Sequence, residues 1–217
     1  DGANDGTSFP DSSTHDITPV GDVTNTRAER KIGDSSIYFD GNDYLSIPDS
    51  SDWSFGTGDF TLEGWIRPSA TEGRWINQFE DSDDRFYFGD TSAGNVRFIA
   101  YTSGTRVAHY ESTGTEVSGL NTWYHIAVAR SGTNIYIFVD GVSISLTVTD
   151  AIGSSSMPDC DATLDISKAD TTYFAGYMDE IRVSDVARYT STFTTFGQDG
   201  GTISNPTPFT ADANTKL

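Results

Sequence analysis

Short segments rich in β-branched and aromatic residues recur along most of the chain, each bounded by clusters of Gly, Asp, Asn or Ser. Such segments favour strands, and such clusters favour turns. Only residues 184–189 could form a helical turn, with Ser184 as its N-cap. The pattern predicts an all-β fold, an antiparallel β-sandwich or jelly roll. Its twelve predicted strands are 36–39, 44–47, 60–67, 74–79, 85–88, 96–101, 106–111, 123–130, 134–139, 142–146, 163–166 and 173–183.

Turn chemistry and alternation refine this prediction. Asp140-Gly141 lies between two alternating strands, which is the strongest short-range hairpin signal. In the predicted strand 60–67, one face is apolar and should lie in the core, whereas the other mixes an aromatic residue with charge and should be half exposed. The predicted core face comprises Phe60, Leu62, Gly64 and Ile66, and the predicted half-exposed face comprises Thr61, Glu63, Trp65 and Arg67.

Length and charge restrict the class of protein. The 217 residues suit one core, and we predict one domain at residues 1–196, followed at 197–217 by a linker or the start of a junction to a following domain. The formal charge of −19 disfavours nucleic-acid binding, because phosphate backbones would be repelled. We expect no membrane insertion and no signal peptide, since neither kind of apolar run occurs. The single Cys160 excludes an internal disulfide framework.

Five segments, in the correct order, resemble the laminin G-like and concanavalin A-like jelly rolls. The resemblance extends over residues 36–189, most of the chain, and it implies a sandwich of two curved antiparallel sheets. The five segments are YFDGNDYL at 38–45, GDFTLEGWI at 58–66, WYHIAVAR at 123–130, YIFVDG at 136–141 and GYMDEIRV at 176–183.

The resemblance also bears on catalysis. Glucanases of this kind carry a Glu-x-Asp-x-x-Glu strand motif, which aligns carboxylates for glycoside hydrolysis. The motif is absent here, and the adjacent Asp179 and Glu180 should face opposite sides of a strand. His15, His109 and His125 have no sequence context for a catalytic triad or a zinc site. We therefore predict that the chain is not an enzyme.

A structural calcium ion is implied by the same resemblance. Its expected ligands are the Asp179 carboxylate, backbone carbonyls at Gly41 and Asn42, and the Asp1 region. Calcium favours six to eight oxygen ligands, and such a site would tether distant segments. The alternative is that Asp179 caps a turn by accepting hydrogen bonds from backbone amides. The acidic run at 80–84 is predicted to be a solvated loop.

Sugar binding requires aromatic side chains beside hydrogen-bonding groups. The central strands and loops offer such residues, although a packed sheet face would contain the same types. The predicted ligand-binding residues are Trp65, Trp75, Arg85, Tyr87, Arg97, Tyr101 and Tyr110.

The two ends resemble the junctions between domains in marine phage and bacterial structural proteins, at residues 207–217 and at Asp1-Gly2. The expected function is adhesion or glycan binding by a non-catalytic module of a larger virion or extracellular structural protein, displayed in tandem or as an oligomer. Its expected partner is a cell-surface glycan or another structural protein, at the virion surface or outside the cell. The alternatives are an assembly domain with no ligand, and an accessory module of a polysaccharide-degrading enzyme.

Overall fold

The computed structural model describes residues 4–9, 13, 15–195 and 208–217. Within these residues it contains seventeen strands and one 3₁₀ turn at Ser51–Trp53, and every strand pairing is antiparallel. The prediction of an all-β sandwich is confirmed. The helical turn predicted at 184–189 is wrong, because residues 187–189 leave the last strand as irregular chain.

One layer of the sandwich is an eight-stranded sheet. Its strands, in spatial order, are β1 (Thr18–Val20), β4 (Tyr44–Ile47), β14 (Leu164–Ile166), β6 (Arg74–Phe79), β7 (Arg85–Asp90), β8 (Val96–Thr102), β9 (Thr105–Ser112) and β13 (Leu146–Asp150). A small hairpin of β15 (Lys168–Ala169) and β16 (Thr172–Tyr173) lies against β6.

The second layer is a seven-stranded sheet. Its strands, in spatial order, are β12 (Val142–Ser143), β11 (Asn134–Val139), β10 (Tyr124–Ser131), β5 (Phe60–Pro68), β17 (Ala175–Ser184), β3 (Ser36–Asp40) and β2 (Thr24–Thr26).

The core fills the space between the inner faces of the two sheets. Phe60 and Leu62 on β5 are fully buried, as are Phe88 and Phe98 on the opposite sheet. Burying each such side chain contributes about 1.5–3 kcal/mol. The core face predicted for β5 is therefore confirmed.

The hairpin between β11 and β12 forms where Asp140-Gly141 predicted it. Val139 pairs with Val142, and both turn residues have positive φ values of 51° and 75°. This conformation is that of a type I′ turn, whose twist matches that of the flanking strands.

The outer face of the seven-stranded sheet is covered by the C-terminal part of the chain. Tyr189 and Phe193 stack on each other and pack against Phe138 on β11. Glu63 on β5 is fully buried on this face, and so is Trp65, over whose ring Lys31 Nζ lies at 4.2 Å from the centroid. The prediction that this face is half exposed is wrong, because alternation within one strand does not reveal which distant segment covers it.

Residues 208–217 lie on the same sheet. The backbone N–H of Val183 on β17 donates to the carbonyl of Leu217 at 3.0 Å, and Ser184 bridges to Thr215. Leu217 joins the main core and is 7% exposed. The predicted domain boundary between residues 196 and 197 lies outside the described residues.

Candidate functional site

The outer face of the eight-stranded sheet carries the candidate site. Paired residues on neighbouring strands point to the same side of a sheet. On β7 and β8, Phe88 pairs with Phe98, and both face the core. The residues that alternate with them face outward. They form the cross-strand rows Tyr87–Ile99–His109, Arg85–Tyr101–Arg106 and Gly89–Arg97–Glu111.

Guanidinium groups lie over tyrosine rings on this face. Arg85 lies 3.7 Å from the ring centroid of Tyr101, and Arg74 lies 4.6 Å from that of Tyr87. Arg97 approaches the Tyr87 ring at 5.7 Å. Such contacts are worth about 0.5–2 kcal/mol each and hold the side chains in place. The face therefore presents fixed aromatic rings beside fixed hydrogen-bond donors.

A cleft of about 280 Å³ lies at the β6 side of this face. Arg74, Phe79, Arg85 and Tyr87 line it from the sheet, and Asp170 is among the residues that line it from the β15–β16 hairpin. The volume is close to the lower limit for small-ligand pockets, about 300 Å³. The cleft is thus large enough for part of an extended ligand.

Several polar groups of this face have no hydrogen-bond partner among the described residues. These groups are Nε of Arg97, both ring nitrogens of His109 and both amide atoms of Asn77. Asn77 is fully buried and pairs with Tyr87 across β6 and β7. Burial, together with the nearby Arg106 and Arg97, lowers the pKa of His109 below its ordinary value. The Arg97 and His109 side chains are 21% and 18% exposed and can be reached from solvent, whereas Asn77 cannot.

Four of the seven predicted ligand-binding residues meet on this face: Arg85, Tyr87, Arg97 and Tyr101. The other three do not reach it. Trp75 and Tyr110 belong to the core, and Trp65 is buried on the other sheet. A register irregularity between Arg74 and Ile76 interrupts the alternation of β6 at Trp75. The structure thus removes these three from a solvent-facing site.

The sequence interpretation missed four residues that complete the face: Arg74, Phe79, Arg106 and His109. The positions of Phe79 and His109 follow from alternation once the register between strands is known, whereas register irregularities next to Arg74 and Arg106 shift these two residues onto the outer face. The missing signal was the register between strands, which the sequence of one strand does not contain.

Glu63 is the centre of a buried charge network rather than a surface acid. Its Oε1 accepts hydrogen bonds from Nε and Nη2 of Arg182, at 2.8 and 2.6 Å. His125 Nε2 lies 3.3 Å from the other carboxylate oxygen, and Glu63 and His125 are both 0% exposed. Although burial alone would raise the pKa of Glu63, its contacts with His125 and Arg182 hold it below the ordinary value.

The predicted calcium ligands do not come together. Ala175 pairs with Asp40 and Met178 with Ile37, so Gly41 lies beyond one end of this pairing and Asp179 beyond the other. The separation is about 15 Å along the strand, whereas one calcium ion binds its oxygens at about 2.3–2.6 Å. Asn42 follows Gly41 and is just as distant, and Asp1 lies outside the described residues.

Asp179 instead acts as a cap for backbone amides, which is the alternative to the calcium prediction. Its Oδ2 accepts hydrogen bonds from the backbone amides of Lys31 and Ile32, both at 2.8 Å. Burial raises the pKa of Asp179 to about 7. In the part of the chain that the structure describes, no three His, Cys, Asp or Glu side chains form a metal-binding group. The residues present therefore do not fit the predicted calcium site.

A family model described as the concanavalin A-like lectin/glucanases superfamily matches residues 39–191. The chain belongs to this superfamily. No curated protein matches the chain.

Solved structures agree with this superfamily assignment at the level of the fold. Domain 4 of an extracellular GH43 arabinanase from Geobacillus stearothermophilus, in complex with arabinotriose, has a TM-score of 0.61 and 16% identity, covering 80% of this chain and 82% of that one. The sialidase CBM40 of Ruminococcus gnavus, bound to α2,3-sialyllactose, has a TM-score of 0.54 and 14% identity, covering 71% and 91%. Domains LG4-5 of the mouse laminin α1 chain have a TM-score of 0.52 and 14% identity, covering 72% and 44%.

Hydrolases of the superfamily need two accessible carboxyl groups flanking a sugar, about 5–10 Å apart. On the outer face, Glu111 contacts Arg97 at 3.8 Å and Asp150 contacts Arg106 at 2.6 Å. The Asp150 carboxylate thus serves as the partner of Arg106, whereas Glu111 lies beyond hydrogen-bond distance of Arg97. Within the described residues, no helix is long and apolar enough to cross a bilayer.

Proposed function

We propose that the chain is a non-catalytic carbohydrate-binding module and that the outer face of the eight-stranded sheet is its binding surface. The observation that carries the proposal is the pair of tyrosines, Tyr87 and Tyr101, each held under a guanidinium on neighbouring strands. Both tyrosines remain partly exposed, so a sugar can pack against the part of each ring that the guanidinium leaves open, and the adjacent donors fix its orientation. Arabinotriose and sialyllactose complexes of similar folds support this class of ligand.

The proposed setting is a larger extracellular or virion structural protein that displays the module at its surface. The net charge of −19 supports display, since self-repulsion keeps such modules apart in solution. Display in tandem or as an oligomer would convert weak single contacts into strong attachment. Calcium is not part of this proposal, because its predicted ligands lie too far apart.

The test is a glycan array probed with the parent chain and with Tyr87→Ala. We expect binding to be lost or reduced about tenfold in the variant, because the Tyr87 ring contacts two guanidinium groups and faces the cleft. Tyr38→Ala is the matched control, since this tyrosine is 37% exposed on the other sheet. Equal binding by the parent chain and the Tyr87 variant would refute the site.

A separate assay tests the alternative that the chain is an enzyme. The parent chain is incubated with the bound polysaccharides, and release of reducing ends is measured. We expect no release above the level without protein. Reproducible release would contradict the non-catalytic part of the proposal.

A further inference from the structure

We propose that the ligand of this face is an acidic oligosaccharide, bound through its carboxylate or sulfate groups at two points. This inference rests on the proposed function and adds the charge of the ligand and its path along the sheet. The observation that leads to it is the distribution of basic residues. The chain has only 13 Lys and Arg, yet Arg74, Arg85, Arg97 and Arg106 lie on the four adjacent strands β6 to β9.

These arginines differ in how far the protein already neutralises them. Arg106 is engaged by Asp150, whose carboxylate lies 2.6 Å from its Nε. Arg74 is 8% exposed and donates to the carbonyls of Gly73 and Asp90. The Arg106 and Arg74 side chains therefore support the two tyrosines and do not serve as contacts for an anion.

Arg85 and Arg97 retain unused donors. The Arg85 guanidinium donates a long hydrogen bond to the backbone carbonyl of Asp81, at 3.5 Å. Arg97 lies 3.8 Å from Glu111, too far for a hydrogen bond, and its side chain is 21% exposed although its Nε is buried. Guanidinium groups bind carboxylate and sulfate-like oxygens through paired donors. Each of the two arginines can therefore hold one acidic group beside a tyrosine ring.

Their positions set the path of the ligand. Arg97 pairs with Gly89, which lies four residues from Arg85 on the same strand. Four residues span about 13 Å of strand backbone, and the Arg97 guanidinium lies 5.7 Å from the centroid of the Tyr87 ring. A ligand that contacts both arginines therefore runs along β7 and β8 past Tyr87, which suits an oligosaccharide. Glu111 and Asp170 also face this path and would repel acidic groups placed elsewhere along it.

The test uses glycans in matched pairs on one array: sialylated and desialylated, sulfated and desulfated, and oligogalacturonate with its methyl ester. We expect the acidic member of at least one pair to bind about tenfold more tightly than its neutral partner. The pair whose acidic member binds more tightly shows whether the recognised group is a carboxylate or a sulfate. Added salt should weaken this binding, because exposed charges are screened. Equal binding of both members of every pair would overturn the inference.

Two variants locate the anion contacts. Arg85→Gln and Arg97→Gln should each weaken binding of the acidic ligand several-fold. Arg27→Gln, which changes an exposed arginine next to the other sheet, should leave this binding unchanged. Neutral binding that Tyr87→Ala abolishes and the two arginine variants leave unchanged would overturn this inference but keep the proposed function. No binding of any glycan would overturn both.

Discussion

Arg182 donates two hydrogen bonds to one carboxylate oxygen of Glu63, and the two residues are 4% and 0% exposed. The pair lies on the outer face of the seven-stranded sheet, beneath the C-terminal segment. The hydroxyl of Tyr189 accepts a further hydrogen bond from Arg182 at 3.2 Å. Desolvated pairs of this kind are costly to break, because the remaining charge stays buried without a partner.

The first prediction concerns this pair. Glu63→Gln should lower the free energy of unfolding by about 3–5 kcal/mol, since Arg182 would keep its charge in a buried place. Urea denaturation measures the change. Glu29→Gln is the control, because that glutamate is 41% exposed and contacts Arg67 at 3.5 Å; it should cost at most about 1 kcal/mol. Equal effects of the two variants would contradict the buried-pair account.

A second prediction uses the pKa of Asp179, which burial raises to about 7. The folded state favours the protonated form, so the stability from this group is fully present below the ordinary Asp pKa and is lost as pH rises through about 7. Asp179→Asn keeps an oxygen for the amides of Lys31 and Ile32 but removes the charge. We expect it to stabilise the protein at about pH 8 and to flatten the pH dependence.

The measurement for this prediction is urea denaturation at about pH 5 and about pH 8. Asp22→Asn changes an exposed aspartate and serves as the control. If Asp179→Asn retained the pH dependence of the parent chain, the burial account of Asp179 would be wrong.

Metal dependence gives a third prediction. Asp179 and Gly41 lie too far apart for one ion, so excess EDTA should leave the melting temperature of the protein unchanged. Differential scanning calorimetry with and without added calcium measures this. A rise in melting temperature with calcium that Asp179→Asn abolishes would show that the separation of Asp179 from Gly41 does not hold in solution.

Much of the fold could be predicted from residue type alone. The strands 44–47, 74–79 and 134–139 have the predicted bounds, because their β-branched and aromatic residues end at polar turns. The short strands Thr18–Val20 and Thr24–Thr26 were missed, since one contains a proline and the other is entirely polar. These two strands depend on pairing with β4 and β3 rather than on their own composition.

The candidate site could be predicted only in part. Arg85, Tyr87, Arg97 and Tyr101 alternate outward on regular strands, so residue type and alternation were sufficient to select them. Trp65 was selected wrongly for a non-local reason: Lys31, from a segment earlier in the chain, lies over its ring and helps to bury it. The calcium ligands were implied only by the family resemblance, and the register of β17 with β3 places Asp179 and Gly41 beyond opposite ends of the pairing.

A fourth prediction compares two glycines in hairpin turns. Gly141 and Gly132 both have positive φ, at 75° and 57°. A Cβ at Gly141 would collide with the backbone carbonyl of Phe193, whereas a Cβ at Gly132 would meet nothing within 4 Å. Each Ala substitution should cost about 1–2 kcal/mol for the left-handed conformation. Gly141→Ala should cost about 1–3 kcal/mol more, because Phe193 must move.

Thermal or urea denaturation of the two alanine variants separates the cost of the left-handed conformation from the cost of the collision with Phe193. The difference between the variants measures how tightly the segment around Phe193 packs on the hairpin. Equal costs would mean that this segment does not press on Gly141 in solution.

The central claim is that carbohydrate binds on the outer face of the eight-stranded sheet. The most direct measurement is a ¹H–¹⁵N NMR titration of the parent chain with the strongest ligand from the array. We predict that the shifted amides concentrate in Arg85–Asp90 and Val96–Thr102. Shifts confined to the seven-stranded sheet, or to loops away from these two strands, would contradict the claim.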